Sequence, residues 1–173
     1  MKMTGTLLAA RQHGSGFTLI ELMTTMTIVG VLLAIGVPGM FDLIRDARLS
    51  SSSDSLVSAL NAARLEAVKQ RTDFKVCQAI TPATAVACAA AATDWSKGWV
   101  VMKASDSAIS QRVETKTGLS ISTTSTGVTF SGTLGATTAV TTFTLCVKGR
   151  KEHVVTVSLS GHISKRVGTT DCL

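Results

Sequence analysis

Residues 17–41 read FTLIELMTTMTIVGVLLAIGVPGMF, and Glu21 is the one charged residue among them. A helix needs about 20 largely apolar residues to cross a lipid bilayer. The stretch is long enough for that, and it stands near the start of a chain of 173 residues. The sequence therefore predicts a membrane anchor followed by one modest domain, since a typical domain has about 100 to 150 residues.

The segment before the anchor, residues 1–16, reads MKMTGTLLAARQHGSG and carries the basic residues Lys2 and Arg11 but no acidic residue. Basic residues that flank a membrane helix tend to stay in the cytoplasm. We therefore expect a single-pass inner-membrane protein with a cytoplasmic N-terminus and a periplasmic or extracellular domain.

An ordinary secretory signal peptide is the alternative for this N-terminal region. Its apolar core usually has only about 7 to 15 residues, and no acidic residue is expected near its start. The weak small-residue site Ala34-Ile35-Gly36 is the only cleavage signal that this alternative offers. The length of the run and the position of Glu21 argue against it.

The apolar anchor continues into an amphipathic segment. Between Phe41 and Arg71, apolar residues recur at helical spacing while charged residues take other positions. The apolar set is Ile44, Leu49, Leu56, Leu60, Ala63 and Ala67. The pattern predicts one helix over residues 17–71, with a kink at Pro38 because proline removes a helical hydrogen bond.

After residue 72 the sequence changes to short β-prone runs separated by Gly, Ser, Thr and Ala. The predicted strands are Phe74–Gln78, Trp99–Lys103, Leu119–Ser122, Val128–Phe130, Thr142–Val147, His153–Leu159 and His162–Val167. We expect the low-complexity tract Ile80–Thr93 to be a surface loop, and Trp95 and Trp99 to be core or edge aromatics. The fold class is α+β, a long N-terminal helix packed on a C-terminal antiparallel sheet domain.

All four cysteines follow the anchor. An even number in an oxidising compartment predicts two disulfides, for which three connectivities exist. We favour Cys77 with Cys88 and Cys146 with Cys172, because each pair then closes one short loop. No Cys-x-x-Cys spacing is present and neither His153 nor His162 has ligand-like spacing to a cysteine, so no metal and no cofactor are expected.

The residues Gly16-Phe17-Thr18-Leu19-Ile20-Glu21, followed by the long apolar run, resemble the leader and anchor of type IV pilins and type II secretion pseudopilins. The resemblance implies that prepilin peptidase cuts after Gly16 and methylates the new N-terminal residue, Phe17. It also implies that Glu21 pairs with the N-terminal amine of a neighbouring subunit, and that Pro38 occupies the position of the helix-breaking proline of many members. A carboxylate in a membrane helix needs such a partner because it costs about 2.5 to 3.5 kcal/mol.

The later sequence narrows the resemblance. Residues 55–69, SLVSALNAARLEAVK, and residues 97–101, KGWVV, are similar to the GspH and FimT/FimU group of minor pilins. The implied organisation is a leader over 1–16, a hydrophobic helix over 17–40, an amphipathic helix over 41–72 and a β-domain over 73–173. The implied partners are other pilins or pseudopilins, prepilin peptidase and the inner-membrane assembly platform.

Two machines fit this resemblance, a type IV pilus and a type II secretion pseudopilus. The basic C-terminal segment and the two disulfides favour the type IV pilus, where the chain would prime assembly or sit at the tip. In FimT-like pilins a Gly-Arg-x-Arg element is associated with DNA binding, but here Gly161-His162-Ile163-Ser164-Lys165-Arg166 lacks both arginines. The candidate phosphate contacts for DNA are instead Lys148, Arg150, Lys151, Lys165 and Arg166.

A membrane-anchored periplasmic enzyme is the alternative of another class. The sequence has no Gly-x-Ser-x-Gly elbow, phosphate loop, His-Glu-x-x-His motif or plausible carboxylate pair. We therefore expect no catalytic residues. The net charge of +6 is mildly basic, and two of the basic residues lie in the leader, so charge alone does not demand nucleic acid as a partner.

Overall fold

The computed structural model describes residues 16–79, 81–85, 87–89 and 95–173. It divides into two compact units, of which the first ends at Phe41 and the second runs from Asp42 to Leu173. The leader before Gly16 and much of the Ile80–Thr93 tract lie outside the described residues.

One helix, α1, runs from Leu19 to Gln70. The Thr18 side chain accepts a hydrogen bond from the backbone N–H of Glu21 at 3.3 Å, which caps the N-terminus. The spacing Thr-x-x-Glu is that of a capping box. At the other end Arg71 has φ 51°, and the N–H of Thr72 donates to the Ala67 carbonyl. This left-handed residue with its backbone hydrogen bond ends the helix.

Among the described residues, eight strands follow the helix and form two four-stranded antiparallel sheets, ordered β3-β2-β1-β5 and β4-β6-β7-β8. The strands are β1 Phe74–Gln78, β2 Gly98–Lys103, β3 Ile109–Glu114, β4 Leu119–Thr123, β5 Gly127–Phe130, β6 Thr141–Val147, β7 Lys151–Val157 and β8 Ile163–Asp171. The seven predicted strands each match one of these within a few residues. The prediction of a helix packed on an antiparallel sheet domain is confirmed, and the domain contains two sheets.

Strand β3 is the one that the sequence did not predict. Its six residues alternate between half-buried and exposed, and it pairs only with β2, at the edge of its sheet. The three inward residues are Ile109, Gln111 and Val113, and only two of them are apolar. The alternation of apolar and polar residues that predicts a strand is therefore weak in this segment.

The core lies between the second half of α1 and the sheets. The helix contributes a stripe of buried side chains spaced three, four or seven residues apart, namely Leu49, Leu56, Leu60, Ala63 and Ala67. Trp95 and Trp99 are fully buried, and the Trp95 ring packs edge-on against Phe143 at 4.8 Å between centroids. Ile44, which the sequence placed on the same stripe, is 38% exposed and does not join this core.

Arg64 connects the helix to two loops of the β-domain. Its guanidinium donates to the carbonyl of Gly135 at 3.2 Å and to the carbonyl of Ser160 at 3.0 Å. Gly135 and Gly161 both have positive φ, at 63° and 73°. A Cβ on Gly161 would collide with the Gly135 carbonyl, so the two loops approach each other closely under Arg64.

Candidate functional site

The first candidate site is the apolar half of α1. Among the described residues, α1 is the one helix long and apolar enough to cross a membrane, with a mean hydropathy of 2.1 in its most apolar window. Large hydrophobic side chains along it are exposed, from Leu19 at 77% to Phe41 at 59%. Apolar exposure on this scale marks a surface that meets lipid or another protein.

The predicted processing residues lie at the start of this unit. Gly16 and Phe17 precede the helix, and Glu21 is in its first turn. A carboxylate there is stabilised by the positive end of the helix dipole. Thr18, which caps the helix through the Glu21 amide, was missed by the sequence reasoning although the Thr-x-x-Glu spacing could have revealed it.

The helix assignment continues through Pro38. The kink proposed there stays a prediction.

The second candidate site is the C-terminal region, where disulfides fix the frame. Cys77 is bonded to Cys88, and Cys146 is bonded to Cys172, the same pairs that the sequence favoured. Across the described residues, no cluster of three or more His, Cys, Asp or Glu side chains could hold a metal ion.

Two of the five basic residues predicted to meet phosphate are held by acidic residues of the helix. Arg150 makes a bidentate contact with the carboxylate of Asp46, and it lies 3.8 Å from Asp42. Lys165 donates to Asp54 at 2.7 Å. The hydrogen bond from Lys165 lowers the pKa of the Asp54 carboxyl, and Asp46 raises the pKa of Arg150.

The remaining basic candidates, Lys148, Lys151 and Arg166, are exposed, and they form no salt bridge with a described residue. The five side chains therefore do not act as one free basic patch. The acidic partners Asp46 and Asp54 were not predicted, although acids spaced eight residues apart on an amphipathic helix lie near one face and could have indicated partners for the basic segment.

These ion pairs border a cleft of about 650 Å³ between the helix and the β7–β8 hairpin. His153 lies in its wall, and its Nδ1 is 2.9 Å from the hydroxyl of Ser53, which is fully buried. Burial, and next the charge of Lys165, lower the pKa of His153, whereas Asp54 and Asp46 oppose this effect. The imidazole therefore favours its neutral form in the folded domain.

Comparison with known families decides what this combination of anchor and domain is. A family model described as type II transport protein GspH matches residues 52–161, which is more than half of the chain. The chain belongs to the GspH family. A second model, the prokaryotic N-terminal methylation motif, matches residues 11–37.

Solved structures share the fold of this GspH-family chain. The type IV minor pilin FimU of Pseudomonas aeruginosa (strain PAO1) is similar in two crystal forms. One has a TM-score of 0.56 at 23% identity, covering 70% of this chain and 90% of that chain. The other has a TM-score of 0.54 at 24% identity, covering 68% of this chain and 92% of that chain.

The minor pseudopilin EpsH from the Type 2 Secretion System of Vibrio cholerae is similar over 69% of this chain and 97% of that chain, with 14% identity and a TM-score of 0.49. The comparison with curated proteins finds no match.

As a GspH-family chain with a methylation motif, it is a minor pilin or pseudopilin of a type IV pilus or a type II secretion system, and not an enzyme. The methylation motif and the apolar half of α1 indicate that it is anchored in a membrane.

Proposed function

We propose that this GspH-family chain is a minor pilin of a type IV pilus, cut by prepilin peptidase between Gly16 and Phe17 and methylated on Phe17. The observation that carries the proposal is the exposed apolar half of α1, most of which lies within the segment that matches the methylation motif. Before assembly this segment would hold the subunit in the inner membrane. Cytoplasmic placement of the basic leader puts the β-domain in the periplasm, where its two disulfides are stable.

Assembly in this proposal moves the apolar helix from lipid into a bundle with the helices of other pilins, driven by the inner-membrane platform. The exchange costs little, because lipid tails and packed helix faces are similarly apolar. Glu21 is the exception, since a carboxylate inside the bundle needs a positive partner. The methylated amine of a neighbouring subunit's first residue supplies one, and this pairing would set the register between subunits.

A type II secretion pseudopilus is the second candidate, and the description of the matching family model favours it. The type IV proposal is supported by the basic C-terminal segment and by the disulfides, which suit a surface filament. DNA binding through Lys148, Lys151 and Arg166 stays a prediction, and Arg150 and Lys165 can join it only by leaving their acidic partners.

The test is intact mass and N-terminal analysis of the protein from membranes of its native host, together with recovery in sheared filaments. We expect a chain that begins with methylated Phe17. Gly16→Leu should leave uncut precursor in the membrane. Glu21→Ala should be processed but recovered in filaments at least tenfold less than wild type, because the neighbouring subunit's amine would then lie unpaired in apolar surroundings at a cost of about 2.5 to 3.5 kcal/mol.

Thr24→Ala is the matched control, because Thr24 is exposed on the same helix and its hydroxyl donates to the Glu21 carbonyl within that helix. Normal filament recovery of Glu21→Ala would refute the role of the carboxylate. A chain that starts near Val37 would refute prepilin processing. Loss of protein secretion with normal pili in a deletion strain would assign the chain to the type II system instead.

A further inference from the structure

The part of α1 nearest the anchor is fastened to the β-domain by polar side chains. Arg150 binds Asp46, Lys165 binds Asp54 and also lies 3.4 Å from Ser50, and His153 meets Ser53. We call this set the polar clasp, and it consists of Asp46, Ser53 and Asp54 on the helix with Arg150, His153 and Lys165 on the β-domain. Leu49 is the one buried hydrophobic side chain in residues 42–54, all of which the structure describes.

The next part of the same helix is fastened differently. Between residues 56 and 67 five buried apolar side chains pack on the sheets, and Arg64 adds its two hydrogen bonds to loops of the β-domain. The five are Leu56, Ala59, Leu60, Ala63 and Ala67. Burial of apolar surface is the dominant stabilising term in folding, and salt does not screen it. The two consecutive parts of one helix are thus attached by different kinds of interaction.

The ion pairs of the clasp are of the weaker kind. Their side chains remain 28% and 48% exposed at Arg150 and Asp46, and 25% and 63% exposed at Lys165 and Asp54. Pairs that contact water contribute little net stability and are screened by salt. Local opening begins where few apolar contacts oppose it, so residues 42–54 should separate from the sheet before residues 56–67 do.

The β-domain side of the clasp is held in place independently of the helix. Gly149 N–H donates to the Cys172 carbonyl at 2.9 Å, and Cys172 N–H donates to the Arg150 carbonyl at 2.8 Å. The Cys146–Cys172 disulfide ties Cys172, just after the end of β8, to β6. The backbone of Arg150 is therefore fixed within the β-domain, which favours return of its side chain to Asp46 after an opening.

From these contacts we propose that the polar clasp is a salt-sensitive conformational latch. It lets residues 42–54 of α1 swing from the β-domain while the apolar contacts of residues 56–67 stay closed. The opening itself follows from the contacts in the β-domain; its use, to adjust the helix as the subunit passes from bilayer to filament, rests on the proposed function.

The test uses the full mature chain in detergent micelles with spin labels at exposed positions beside the clasp, introduced as Arg48→Cys and Arg166→Cys. Intact mass must first show that both native disulfides are retained. Pulsed electron resonance then measures the label distance at about 50 mM and about 500 mM salt, conditions between which surface charges become largely screened. A reference pair, Asn61→Cys with Thr133→Cys, reports on the apolar part of the helix.

For the clasp pair, we expect high salt to raise the fraction of molecules with the longer label distance about threefold, because the ion pairs are weak and screened by salt. The distance of the reference pair should not change. Asp46→Asn combined with Asp54→Asn should produce the same population at low salt. Glu66→Gln is the matched control, because it removes a helix carboxylate whose partner Lys69 lies on the same helix.

A distance between the clasp labels that responds neither to salt nor to the double substitution would overturn the latch. An equal response of both label pairs would overturn it too, because the whole domain would then be loosening. The salt series on the wild-type chain decides the matter even if the double variant fails to fold. None of these outcomes depends on filament assembly, so failure of the latch and failure of the proposed function are distinguishable.

Discussion

Replacing Gly161 with alanine should destabilise the β-domain much more than the same change at Gly149. Both glycines have positive φ, at 73° and 79°. An L-residue in the left-handed region costs about 1 to 2 kcal/mol, and both variants share that cost. Only at Gly161 does the added Cβ strike backbone, at the Gly135 carbonyl, because nothing lies within 4 Å of a Cβ on Gly149.

The extra cost at Gly161 follows from this collision. Forcing an additional carbon into a packed site costs about 1 to 3 kcal/mol, and here it also displaces the loop that accepts from Arg64. The free energy of unfolding should therefore fall by about 2 to 5 kcal/mol in Gly161→Ala, against about 1 to 2 kcal/mol in Gly149→Ala.

Urea titration of the mature protein in micelles measures this difference. The chain has two tryptophans, Trp95 and Trp99, both fully buried, so their fluorescence reports on the core of the β-domain. With a slope of about 2 kcal/mol per molar urea, the midpoints of the two variants should differ by about 0.5 to 1.5 M. Equal midpoints would refute the reasoning, because they would mean that the two loops can move apart without loss of stability.

Two further predictions concern the C-terminal half. The pKa of His153 lies below its ordinary 6.5 in the folded domain, so the unfolded chain binds a proton there more readily. The free energy of unfolding should therefore keep its full value above pH 6.5 and fall as the pH drops below 6.5. Titrations at several pH values should show this, and His153→Gln should flatten the dependence; an unchanged slope would exclude His153 as its source. Removing the Cys146–Cys172 bond by paired alanine substitutions should cost about 3 to 4 kcal/mol, since the cysteines are 26 residues apart. A loss below about 1 kcal/mol in the urea titration would mean that the unfolded chain gains little freedom.

The helix and most strands could be predicted because their signals are local. The buried stripe from Leu49 to Ala67 is visible as apolar residues at helical spacing, and β1 is a compact apolar run between turn residues. Division into two sheets could not be predicted, because it depends on pairing between distant segments, such as β1 with β5. Local patterns do not encode which strands become neighbours.

The candidate site divides in the same way. Gly16, Phe17 and Glu21 stand in one short motif, so the sequence alone suggests their roles, which stay predictions. The basic residues near the C-terminus were also visible, but their environment was not. Arg150 is 104 residues from Asp46 in the chain, and only the fold shows that the two charges meet. A count of charges therefore overstates how many remain available to a partner.

The contact of Arg64 with two glycine loops also has an evolutionary consequence. The guanidinium holds the Gly135 and Ser160 carbonyls, and Gly161 leaves no room for a side chain beside Gly135. Changes at positions that share partners are not additive. Substitutions at these positions should therefore occur together among related subunits, since a longer loop at one glycine would require a different loop at the other. The exposed Gly149 turn can vary independently.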